Sequence, residues 1–89
     1  LVILHVKDKG VTIMDLSQVQ KDEKVRIVRI DAPIALKKRL ASLGVNVGKE
    51  VEVLEMTLQK NTIKVGIGLG SIALRLDEAK CVNVEAIHA

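Results

Sequence analysis

The chain has 89 residues, a net charge of +3 and no Phe, Tyr or Trp. That length is one small domain, and a 48% hydrophobic content, nearly all Val, Ile, Leu and Ala, suffices for one core and argues against disorder. Without aromatic rings the chain lacks the stacking platform of single-strand nucleic-acid binders and the groove in which SH3 domains hold polyproline, and with Cys81 as the single cysteine it forms neither an intrachain disulfide nor a Cys-x-x-Cys zinc site.

Leu1 to Val6 is apolar and β-prone, Lys7-Asp8-Lys9-Gly10 is a turn signal, and Val11 to Met14 is a second apolar run, so residues 1–14 read as a β-hairpin. Met14 is a candidate start residue, which makes residues 1–13 an N-terminal extension, either a frayed tail or an edge hairpin used for homo-oligomer contacts. Residues 14–89 form the domain proper. Leu1–Val6 is too short to span a bilayer or serve as a secretory signal, and no other apolar run reaches ~18 residues, so the expected location is the cytoplasm.

Leu16 and Val19 are an apolar step before a polar turn at Lys21-Asp22-Glu23. Lys24 to Ile30 is the first core strand, with Val25 and Ile27 on one face and Val28 and Ile30 in the opposite phase. Glu50 to Leu58 repeats this, with Val51 and Val53 in one phase and Leu54, Met56 and Leu58 in the other. A phase switch within a strand predicts a bulge or sharp bend, and two of them fit a strongly curved barrel.

Between these strands lies one clear helix. Asp31-Ala32-Pro33 signals its start, with Asp31 suited to the N-terminal cap region. Leu36, Leu40 and Leu43 form its apolar stripe, with Lys37 and Lys38 pointing away and Arg39 at the border. Gly44 is the left-handed stop, Val45 its hydrophobic contact, and Val47-Gly48 the centre of a type II turn.

Thr62 to Ile67 and Ser71 to Leu76 are two further strands, the second with Ile72, Leu74 and Leu76 on one face. Asp77 to Lys80 is a helical turn or tight loop, and Val82 with Val84 is a short closing strand. The expected fold is therefore mainly β: a small SH3-like barrel with one short α-helix inserted between the first two core strands.

Several segments resemble the ferrous iron transport protein A (FeoA) family over roughly residues 15–85. The most specific are Arg39-Leu40 with Leu43-Gly44 and Gly48, and Ile72-Ala73-Leu74-Arg75 with Ala79 four residues on. The family often has Gly where Asp22 stands and Pro where Val47 stands; both are turn positions. The resemblance implies an SH3-like, non-enzymatic cytoplasmic accessory of ferrous iron uptake, peripheral at the inner face of the cell membrane. Its implied partner is the ferrous iron transport protein B family, a membrane permease with a GTPase domain. The alternatives are the SH3-like regulatory domain of an iron-dependent transcriptional repressor and an iron(II)-binding chaperone.

The residues themselves offer few chemical sites. Gly66 to Ser71 is glycine-rich, but a phosphate loop needs a following helix N-terminus, and Ser71-Ile72-Ala73-Leu74 alternates like a strand, so a hairpin turn is expected. His5, His88 and Cys81 are scattered, no Ser-His-Asp or Cys-His set is present, and no cofactor is required. Transient binding of Fe(II) or another divalent metal through carboxylates is the remaining metal chemistry. The charge pattern is more informative: residues 24–39 hold Lys24, Arg26, Arg29, Lys37, Lys38 and Arg39 against Asp31 alone, while Glu50, Glu52 and Glu55 make the next strand acidic. Arg26, Arg29, Lys37, Lys38 and Arg39 are the partner-binding candidates, suited to an acidic protein surface with membrane headgroups assisting. The modest net charge does not favour nucleic acid as the partner.

Overall fold

The computed structural model describes residues 13–87. In chain order these form β1 (Ile13–Asp15), a 3₁₀ turn (Leu16–Gln18), β2 (Lys24–Ile30), α1 (Ile34–Ser42), β3 (Glu50–Thr57), β4 (Thr62–Ile67), β5 (Gly70–Arg75), α2 (Leu76–Ala79) and β6 (Val82–Ala86). All strand pairs are antiparallel, in the order β1-β6-β2-β3-β4-β5.

Both expected phase switches are irregularities in the ladder. β2 shifts register against β6 between Ile27 and Arg29, and β3 shifts against β4 between Val53 and Glu55. An extra residue on one strand raises the local twist and bends the sheet. The sheet thereby curls around Val25, Ile27, Val51, Val53, Ile63, Val65, Leu74, Val82 and Val84, each buried to 2% exposure or less. No polar or charged side chain is buried among the described residues.

The barrel is mainly β as expected but not fully closed, because its end strands β1 and β5 share no ladder. β1 is only three residues long and stops where Asp15 turns its carboxylate back on the chain. That carboxylate accepts from the Ser17 N–H at 2.9 Å, while the Asp15 N–H donates to Gln18 Oε1 at 3.0 Å. This reciprocal cap fixes the 3₁₀ turn, which packs on α2 and β6 with Leu16 and Val19 in the core. The expected pairing of residues 1–14 as a hairpin lies largely outside the described residues; Ile13 to Asp15 pair with β6.

α1 lays its leucine stripe on the core: Leu40 is fully buried, and Leu36 and Leu43 pack against it half-buried. Its end is a Schellman motif. The Val45 N–H reaches the Leu40 carbonyl at 2.9 Å and the Gly44 N–H reaches that of Ala41 at 3.0 Å, with Gly44 at φ +93°. The start differs from expectation. Pro33 occupies the cap position, and Asp31 makes no cap bond to the helix: its carboxylate faces Arg29 at 3.7 Å and its N–H donates to the Cys81 carbonyl at 2.8 Å. Proline carries no N–H and no side-chain acceptor, so this helix end lacks a side-chain cap.

The turn after α1 spans Asn46 to Lys49, closed by the Lys49 N–H on the Asn46 carbonyl at 3.1 Å, with Gly48 at φ +94°. The Gly48 N–H also donates to the Ile27 carbonyl at 2.7 Å, tying the turn to β2. The glycine-rich segment is a hairpin. Ile67 pairs with Gly70, leaving Gly68-Leu69 as the two-residue loop, with positive φ at Gly68 (+59°).

Candidate functional site

The basic segment and the acidic strand that follows it are cross-strand neighbours. Lys24 stands opposite Glu52 and Arg26 opposite Glu50 on β3, and on its other side Arg26 stands opposite Glu85 of β6. The Arg26 guanidinium reaches Glu50 at 3.3 Å and Glu85 at 3.2 Å. A sequence that reads as two opposed charge blocks thus folds into a laced sheet face. The other arginine candidates are also engaged. Arg29 pairs with Asp31, and Arg39 of α1 pairs with Glu78 of α2. Glu78 additionally accepts the Arg75 N–H at 3.0 Å, so it joins the start of α2 to the side of α1.

Lys37 and Lys38 are different. Both are exposed on α1, and neither takes part in an ion pair among the described residues. They share a helix face with Ile34 and Ala41, at spacings of three, four and seven, opposite the buried leucine stripe. Ile34 is 72% exposed. Beside this face runs an open groove of about 260 Å³ lined by Ile30, Lys37, Ala41, Val45, Asn46 and Val47. Its walls are α1 on one side and the end of β2 with the Asn46–Lys49 turn on the other. Val47 stands 62% exposed at its edge.

The five candidate residues are therefore not one continuous array of open charge. Arg26, Arg29 and Arg39 are compensated by Glu50, Glu85, Asp31 and Glu78, and the open charge is concentrated at Lys37 and Lys38. Of the groove residues the sequence marks only Lys37 as a binding candidate; Val47 reads there as a turn residue and Ile30 as a strand residue. The available signal was the polar face of α1, which carries Ile34 where a solvated face needs no large aliphatic side chain.

Among the described residues no three His, Cys, Asp or Glu side chains converge to hold a metal ion. Cys81 is half-buried and its thiol faces the Asp77 carbonyl at 3.7 Å, while His5 and His88 lie outside the described residues. No helix among the described residues is long and apolar enough to cross a membrane.

The FeoA domain family matches residues 14–86. The chain belongs to the FeoA family. A Campylobacter jejuni relative carrying the name Fe(2+) transport protein A is 34% identical over 74 residues, covering 83% of this chain and all of that one. The solution structure of iron(II) transport protein A from Clostridium thermocellum superposes with a TM-score of 0.79 at 30% identity, covering 83% of this chain and 46% of that chain. A manganese-dependent transcriptional repressor contains the same fold, with a TM-score of 0.80 at 21% identity over 84% of this chain and 41% of that one. The last likeness is one of fold alone. Asp22, in the turn before β2, holds φ +71°, a value that favours glycine.

Proposed function

We propose that this chain is a non-enzymatic accessory of ferrous iron uptake that binds and modulates the membrane permease with a GTPase domain, the ferrous iron transport protein B family. The observation that carries the reading is the FeoA match across residues 14–86, which supports a role in Fe(2+) transport. The geometry is consistent with it. Among the described residues no polar side chain is buried, so the barrel interior holds no polar constellation for chemistry, and of the five basic candidates the two without an ion pair, Lys37 and Lys38, share one helix face.

In this reading the barrel is a rigid frame, and α1 presents the contact surface. Lys37 and Lys38 steer association with an acidic protein surface, and Arg39 holds α1 against α2 through Glu78. Iron is the cargo of the permease, and binding of Fe(II) to this chain is at most transient through surface carboxylates. The site of action is the cytoplasmic face of the membrane.

The test is radioiron uptake in cells lacking the gene. Restoring the chain recovers ferrous uptake without altering ferric uptake. A strain whose ferrous uptake is unchanged by the deletion would remove the reading.

A further inference from the structure

We infer that the groove between α1 and the Asn46–Lys49 turn is the docking site for a short acidic–aliphatic segment of the partner protein, an assignment that rests on the accessory reading above. Its floor and walls are aliphatic at Ile30, Ala41, Val45 and Val47, and its polar lining consists of Lys37 and Asn46. No acid lines it. An aliphatic floor takes a bulky aliphatic side chain, and an ammonium beside it takes a carboxylate. The groove's 260 Å³ is on the scale of one or two side chains and below the usual range of cofactor pockets, about 300–1,000 Å³.

Charge complementarity favours Lys37 and Lys38 among the five basic candidates. The arginines at positions 26, 29 and 39 already face carboxylates of their own chain, whereas Lys37 on the groove and Lys38 next to it face none among the described residues. Apolar exposure coincides with that open charge. Ile34 precedes Lys37 on the same helix face at 72% exposure, and Val47 closes the far edge at 62%. A bound segment covers both, so its apolar contacts give affinity and its carboxylate sets orientation and on-rate. A nucleic-acid backbone satisfies the lysines but leaves the aliphatic floor uncovered.

The test uses the full chain, isotope-labelled, with its amide resonances followed by NMR during titration with overlapping synthetic peptides spanning the cytoplasmic segments of the permease. One peptide carrying an aliphatic residue beside a carboxylate is expected to shift Ile30, Lys37, Ala41 and Val47. Lys37→Glu and Ala41→Glu are both at exposed helix positions, and the spectrum of each variant reports that it remains folded. Each weakens that peptide at least about tenfold, and exchanging the peptide's acid for Lys recovers binding to Lys37→Glu. Shifts confined to another face overturn the inference, as does undiminished binding by both variants. Equal shifts on phosphatidylglycerol vesicles assign the face to lipid, and concentration-dependent shifts of the chain alone assign it to a second copy; either result overturns the inference. A parallel pull-down of the intact permease separates the two levels. Retention by wild type and by both variants sinks the groove and leaves the accessory role standing, whereas no retention by wild type sinks both.

Discussion

Asp22 shows how a single backbone angle can be read from chemistry. It holds φ +71° in the turn before β2, its N–H donating to the Val53 carbonyl at 2.7 Å. A side chain in the left-handed region costs about 1–2 kcal/mol, less for Asp, and glycine removes that cost while adding some unfolded-state entropy. Asp22→Gly is therefore expected to raise the urea midpoint, by about 0.5 kcal/mol in stability, and a clear drop would show that the Asp side chain has a role the turn does not reveal. Gly48→Ala is the converse. Its φ of +94° leaves no comfortable place for a Cβ even though nothing stands within 4 Å, so a loss of about 1–2 kcal/mol on denaturation is expected. Arg26, bridging Glu50 and Glu85 at the surface, contributes less: Arg26→Ala is expected to cost under about 1 kcal/mol, and less still at high salt.

Elements show what was legible and what was not. The bulges in β2 and β3 fall where the hydrophobic phase flips, because a side-chain period of two cannot change phase without an extra residue. The end of α1 was equally legible, since Gly44 and Val45 complete a motif with local hydrogen bonds. Its start was not. Asp31 has the right chemistry for a cap, but its backbone is bonded to Cys81, fifty residues on, and its carboxylate lies beside Arg29. The ion pairs were hidden for the same reason: Glu50, Glu78 and Glu85 face arginines that they approach only in the folded chain. The groove needs the turn at Asn46–Lys49 brought beside Ile30, which no periodicity encodes. α1 also separates folding from binding. Leu40→Ala, on its buried face, is expected to cost about 2–5 kcal/mol in thermal or urea unfolding. Lys37→Glu with Lys38→Glu, on its open face, is expected to change stability by no more than about 0.5 kcal/mol, because neither lysine has an ion-pair partner to lose among the described residues.

At the scale of the whole molecule, an aliphatic interior, without buried polar side chains among the described residues, supplies rigidity, and the surface supplies the specificity. The same fold occurs in a manganese-dependent repressor, so the fold does not choose the function; in the proposed reading, one helix face and the groove beside it meet the partner. The central claim is that this face holds the permease. Its most direct measurement is the affinity of detergent-solubilised permease for the wild-type chain and for Lys37→Glu/Lys38→Glu, at low salt and at ~1 M salt, where the screening length falls to ~3 Å. The account predicts saturable binding that weakens with salt and falls at least about tenfold in the variant at low salt. Equal affinity of the two chains at both salt concentrations would contradict it.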